Sequence, residues 1–319
     1  MTPSLLPLAV GSATILFLTL PVVGDTLPPN ELGRVMILVY HRIDSPEARW
    51  TRTPEHFRGD LERLWERGYR LVALNDLVDG KVSLPSGATP VVLTFDDSSP
   101  GQFRYLERNG TPDIDPDCAV GILEAFARAH PGFGHAATFN VLPGANPPNR
   151  LFNQPAHAAR KLQYLASHGY EIGNHTLWHA DLAKYPESVV RKQVALAQAW
   201  IDRDVPGYRL RTLALPMGAY ARDIRWILSG TVDRVSYRND AILRVTGGPA
   251  ASPYARAFDA YHLPRIQAIE RELTYWLTYF DRHPDQRFVS DGNAITITLP
   301  RGARSEARPE YGARIVERQ

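Results

Sequence analysis

Short apolar runs alternate along the chain with segments whose apolar positions recur every three to four residues. The runs at 35–40 (Val-Met-Ile-Leu-Val-Tyr), 91–95 (Val-Val-Leu-Thr-Phe) and 136–141 (Ala-Ala-Thr-Phe-Asn-Val) predict buried strands by length and composition. Similar pieces follow at 170–173, 212–215, 232–237 and 242–245, and an alternating strand is expected at 294–299. Between them, Pro54 opens a helix with Phe57, Leu61, Leu64 and Trp65 on one face and Gly68 at its end. Further helices are predicted over 117–130, 155–168, 187–203, 222–229 and 269–280. In the 187–203 segment Val190, Val194, Ala197 and Ile201 recur at i, i+4, i+7 and i+11, the spacing of one buried stripe.

Strand–helix alternation implies a parallel sheet with helices outside it. Several such units in one chain of 319 residues favour an α/β, barrel-like fold. Chemistry in such folds collects where strands end and loops begin. The chain divides into an apolar segment 1–24, a Pro-rich linker 25–34, a domain 35–300, and an Arg- and Glu-rich charged tail 301–319 expected to be loose.

Residues 5–23 are largely apolar and carry no charged side chain. This reads as a signal peptide or a membrane anchor, so export is expected, to an extracellular, periplasmic or membrane-anchored position. Its n-region has no Lys or Arg, and Val22-Val23-Gly24 fits the small-x-small cleavage rule only loosely, which leaves cleavage open. Apolar residues make up 44% and charged residues 22%, with a net charge of +2. That balance allows a full core and gives no case for nucleic-acid binding. Cys118 is the single cysteine, so no internal disulfide forms; it opens an apolar helical pattern and reads as buried structure.

Polar residues gather where the apolar runs stop. The 91–95 run enters Asp96-Asp97, the 170–173 run enters Asn174-His175, the 212–215 run enters Pro216-Met217-Gly218, and Tyr40 leads into His41-Arg42. Adjacent carboxylates point to opposite faces of a regular strand, so Asp96 and Asp97 converge only if the chain leaves strand geometry after Phe95. Two carboxylates held close repel, and a divalent cation resolves this: one binds it while the other accepts a proton. An isolated Asp-Asp also serves as a helix cap or turn. His175 and His179 are four apart, which on a helical turn puts both imidazoles on one face. Asp97, His175 and His179 together make three ligands, leaving a position open for water as in catalytic zinc sites.

At these residues the sequence resembles the polysaccharide deacetylase family, carbohydrate esterase family 4. Thr94-Phe95-Asp96-Asp97 resembles its first motif, and Glu171-Ile172-Gly173-Asn174-His175-Thr176 with His179 resembles its second. Leu215-Pro216-Met217-Gly218 is similar to a degenerate third, and Tyr40-His41-Arg42-Ile43 and Leu263-Pro264-Arg265-Ile266 extend the likeness over 35–299. The resemblance implies a distorted, incomplete (β/α) barrel with its metal site at the C-terminal rim of the strands. It implies a divalent metal, Zn2+ by preference, on Asp97, His175 and His179, with Asp96 as catalytic base. It also implies backbone N–H groups near the third motif facing the oxyanion, and a glycan partner carrying N-acetyl groups. His41 is the preferred catalytic acid, with His262 and His283 as weaker candidates; His135 and His168 read as ordinary edge residues.

Four departures bear on function. Ala214 stands where the family places an Arg two residues before the motif Pro, and Arg211 is the nearest substitute in sequence. Met217 replaces an aromatic, and neither a fourth motif with its Asp and Trp nor a C-terminal Leu-His motif is evident. These keep two alternatives open: hydrolysis of an acetyl ester or small amide, and a carbohydrate-binding relative without catalysis. Trp65 and Trp200 fall on apolar helix faces, and core packing ranks ahead of substrate contact for Trp178.

Overall fold

The computed structural model describes residues 27–108 and 110–318. The expected signal or anchor segment, 1–24, lies outside the described residues. Among those described, no helix is long and apolar enough to cross a membrane.

The apolar runs form one all-parallel sheet of eight strands. These are β1 (Met36–Tyr40), β2 (Tyr69–Leu71), β3 (Thr89–Phe95), β4 (Thr138–Val141), β5 (Glu171–Asn174), β6 (Thr212–Ala214), β7 (Ala241–Leu243) and β8 (Ile266–Gln267). Their order is β7-β6-β5-β4-β3-β1-β8, with β2 paired to the first half of β3. Every residue of β1 and β3 is buried, which explains their unbroken apolar sequences: a parallel strand covered on both faces has no polar side. The sheet curls through 243°, so it is an incomplete barrel with flanking helices, as expected. The segment around β8 spans the two edges of the opening. Leu263 bridges to Leu243 of β7, while Ile266 pairs with Leu38 of β1, and Arg265 lies between the two pairings, fully buried.

Helices α1 (Pro54–Glu66), α2 (Ala119–Ala129), α3 (Ala158–Ser167), α4 (Glu187–Asp204) and α5 (Glu270–Arg282) follow the predicted stripes. Thr53 caps α1, its hydroxyl accepting the His56 N–H at 3.1 Å, and Pro54 takes the first helical position, where its missing N–H costs nothing. Val190, Val194, Ala197 and Ile201 of α4 are buried as their spacing required. Cys118 is buried just before α2.

Local signals mislead in four places. The helix expected over 222–229 is a single turn, Arg225–Leu228, which runs into an antiparallel ribbon of Ser229–Val232 and Val235–Arg238. Asp233 and Arg234 turn that ribbon with positive φ, as a tight hairpin requires. The strand over 294–299 shortens to Ile297–Leu299 and pairs in parallel with Ile315–Glu317 rather than joining the barrel. The tail expected to be loose is therefore tied down: Ala307 is buried, and Arg314 Nε donates to the Ile295 carbonyl at 3.0 Å. Likewise Asn30 and Glu31 in the expected linker are buried, and Asn30 bridges to Val289. Both ends pair with chain more than ten residues away, which periodicity does not encode.

Candidate metal centre at the carboxyl ends of the strands

The chain leaves β3 abruptly. Asp97 (φ 76°) and Ser98 (φ 42°) adopt left-handed conformations, so successive carboxylates swing to the same side, as the sequence argument required. The turn is held from below: the Asp96 N–H donates to the Tyr40 carbonyl at 2.9 Å, and the Gln102 amide donates to the carbonyls of Asp96 and His41.

His175 follows β5, and His179 comes after a turn rather than on a helix. Thr176 (φ 68°) and His179 (φ 67°) are left-handed, an uncommon conformation for a β-branched threonine. Asn174 steadies the turn by accepting the Thr176 N–H at 2.8 Å, and the Thr176 hydroxyl accepts the Ala180 N–H at 3.1 Å. The imidazole centroids end 5.0 Å apart. Strained residues gathered at one point are a mark of functional sites.

Asp97, His175 and His179 each present one ligand atom within 4.8 Å of the others. The Nε2 atoms of His175 and His179 lie 3.3 and 3.4 Å from Asp97 Oδ1, yet neither contact is aligned as a hydrogen bond, and Oδ1 is buried without a hydrogen-bond partner. An orphaned carboxylate oxygen between two ring nitrogens fits a cation. His175 Nδ1 donates to the Ala214 carbonyl at 2.8 Å. Because a carbonyl only accepts, that bond fixes the proton on Nδ1 and turns the Nε2 lone pair towards Asp97, as a metal ligand needs. Burial pushes the pKa of His175 down, but Asp96 and Asp97 outweigh it and hold it above the ordinary value. Burial and the neighbouring His175 push His179 down, towards the neutral ligand form.

Asp96 is buried behind this cluster and fully paired. Arg265 grips it with two bonds, Nη1 to Oδ1 at 2.8 Å and Nη2 to Oδ2 at 2.7 Å, and Asn140 Nδ2 adds a third at 2.8 Å. Burial opposes ionisation of Asp96, but the Arg265 guanidinium more than offsets it and holds the carboxyl well below the usual range. Arg265 is itself anchored by the Arg244 carbonyl and the Thr94 hydroxyl. Gly173 makes room for Asn140: a Cβ there would lie 2.0 Å from Asn140 Oδ1.

The expected partner of Asp96 therefore comes from elsewhere in the chain. Arg211 bridges Asp79 and Asp240 at the opposite end of β6, and Arg265 supplies the cation from the β8 edge, 169 residues from Asp96. Its only sequence signal was its place in Leu263-Pro264-Arg265-Ile266. Asn140 was visible only as part of a strand.

An open cavity of about 420 Å3 lies over the cluster, lined by His41, Arg42, Arg49, Trp50, Asp97, His179, Met217 and Val245. His41 faces it with its ring 4.5 Å from that of Trp50. Burial pushes the His41 pKa down, and Asp96 and Asp97 offset this only in part. His262 pairs with Asp259 and is half exposed. Neither His262 nor His283 lines this cavity. Trp178 is 46% exposed, so core packing is not its role; Trp65 and Trp200 pack at the core edge as expected. After β6, Met217 is left-handed and 58% exposed at the mouth. The Gly218 and Ala219 N–H groups donate to Leu215 and Pro216, while the Met217 N–H has no acceptor among the described residues.

This arrangement of a carboxylate–imidazole triad beside a clamped second Asp meets an independent match. Residues 84–231 match the model of the polysaccharide deacetylase family. No curated protein sequence matches the chain significantly. Among solved structures the chain is similar to the Streptococcus pyogenes deacetylase PplD in complex with acetate, at 20% identity and TM-score 0.57, over 79% of this chain and 98% of that one. It is also similar to IcaB from Ammonifex degensii, at 18% identity and TM-score 0.53, over 77% and 97%. A polysaccharide deacetylase from Bacillus cereus aligns at 16% identity and TM-score 0.53, over 76% and 69%. At these identities the structures share the fold. The deacetylase barrel read from the motifs is thus the barrel that forms, with both motif segments, Thr94–Asp97 and Glu171–His179, inside the matched region.

Proposed function

We propose that the protein is a metal-dependent hydrolase that removes N-acetyl groups from an amino-sugar polysaccharide. The observation that carries this is the pairing of two carboxylates with opposite tasks at one strand end. Asp97 has an unsatisfied oxygen between two imidazoles, while Asp96 is fully satisfied and ionised beside it.

Asp97, His175 and His179 would hold the divalent ion, Zn2+ by the mix of one oxygen and two nitrogen donors. Such an ion polarises an acyl carbonyl and lowers the pKa of water. Asp96, kept ionised by Arg265, takes the proton from the attacking water. The Met217 N–H, which has no acceptor among the described residues, would donate to the oxygen on which negative charge develops. His41, whose lowered pKa makes its protonated form a stronger acid, gives a proton to the leaving sugar nitrogen. Trp50 backs the His41 ring and fixes its aim.

A carbohydrate-binding role without catalysis had one motive, the missing Arg at position 214. Arg265 removes it by giving Asp96 a bidentate guanidinium. The apolar, uncharged 5–23 stretch supports a glycan of the cell envelope or the extracellular space.

The test is acetate release from N-acetylglucosamine oligomers by the wild type and by Asp96→Asn. The variant should lose at least about a thousandfold in kcat while binding the metal with unchanged stoichiometry. Undiminished turnover in Asp96→Asn would remove Asp96 from the mechanism.

A further inference from the structure

A second cavity of about 250 Å3 adjoins the one over the metal centre. Arg49 lines both, and Val245 of the first is followed by Thr246 of the second. The second cavity is floored by a tight loop: a Cβ at Gly247 would meet Pro264 Cβ at 2.7 Å, and one at Gly248 would meet the Trp276 ring at 2.9 Å. Both glycines have positive φ, and among the described residues neither N–H has an acceptor. The cavity is also cationic. Arg271 is neutralised by Glu272 at 2.8 Å and Arg265 by Asp96, but Arg49 has no carboxylate partner among the described residues. Its guanidinium lies 4.8 Å from the centre of the Trp50 ring, which holds the planar group in place.

We propose that this cavity is a subsite for a sugar unit bearing an anionic substituent, adjacent to the unit whose acyl group reaches the metal centre. The proposal rests on the deacetylase reading and names the substrate class within it: an acidic glycan rather than a neutral one. Trp276 and the Gly247-Gly248 backbone accept the ring. Arg49, on the ridge between the cavities, takes the carboxylate or phosphate through its forked donors, with the two glycine N–H groups as further donors. Glu272 opposes an anion, but its charge is spent on Arg271.

Equilibrium binding separates this from turnover. Calorimetry with the full chain would compare a neutral N-acetylglucosamine tetramer, the same tetramer with a lactyl carboxylate on alternate units, and one with phosphate esters. The acidic tetramers should bind at least about tenfold tighter than the neutral one, with the gap shrinking as salt rises. The better of the two anions identifies the substituent. In Arg49→Gln the gap should close to within about twofold, while Arg203→Gln, on a remote surface, should keep it. Equal affinities in the wild type, or a gap that survives Arg49→Gln, would overturn the subsite. Failure of the deacetylase reading looks different: no acetate from any tetramer, with the binding gap intact.

Discussion

At the amino ends of the strands, the charged groups find partners, either one another or neutral backbone and hydroxyl groups. Arg211 bridges Asp79 and Asp240, each at 2.7 Å. Glu171 accepts from the Leu74 and Asn75 N–H groups and the Thr138 hydroxyl. Arg287 donates to the Thr89 hydroxyl and the Arg67 carbonyl. At the carboxyl ends, the Asp97 Oδ1 atom and the Met217, Gly247 and Gly248 N–H groups have no partner among the described residues, and Asp97, Thr176, His179 and Met217 sit in left-handed conformations. One end of the barrel is spent on stability, while the other keeps polar groups in reserve for a ligand and pays for it in backbone strain.

Arg265 is the exception that ties the two ideas together, because it is a fully satisfied ion pair at the functional end. Arg265→Met should cost about 3–5 kcal/mol in denaturant unfolding, since it strands a buried carboxylate. It should also remove most turnover, because Asp96 then takes up a proton. Arg265→Lys should recover charge but not the two-pronged grip, and so only part of the activity. Unchanged stability in Arg265→Met would show that Asp96 finds another cation.

A smaller effect is expected at the cavity wall. His41→Gln should lower kcat by about a hundredfold with little change in stability, and should flatten the pH–rate profile on the limb that reports the acid. A drop confined to KM would make His41 a binding residue instead.

The smallest effect belongs to the other end. Arg211→Met should cost about 1 kcal/mol, because its ion pairs are partly exposed and screened, and should leave kcat within about twofold of wild type. A loss of turnover matching that of Arg265→Met would mean that the two ends are coupled.

Much of the functional end was legible in the sequence because its signals are local. Asp96-Asp97 after an unbroken apolar strand, and His175 four residues before His179 after another, name the cluster without any long-range information. The backbone that aims them was only half legible. A break after Phe95 could be argued from the strand period, but the turn at Thr176–His179 replaces the helix that a four-residue spacing suggests. Arg265 was the hardest part. A strand-edge segment brings it back across the sheet opening, and nothing within a few residues of either Arg265 or Asp96 marks them as partners. The same reason hides the closing pair Ile297–Leu299 and Ile315–Glu317, whose register is set by contacts between segments that each look ordinary alone.

The most direct test of the metal centre is acetate release from N-acetylglucosamine oligomers by protein stripped with a chelator and then titrated with zinc. Release should vanish with the metal and return fully at one equivalent per chain, and Asp97→Ala should neither bind that equivalent nor recover. Full release from protein shown to hold no metal would contradict the account.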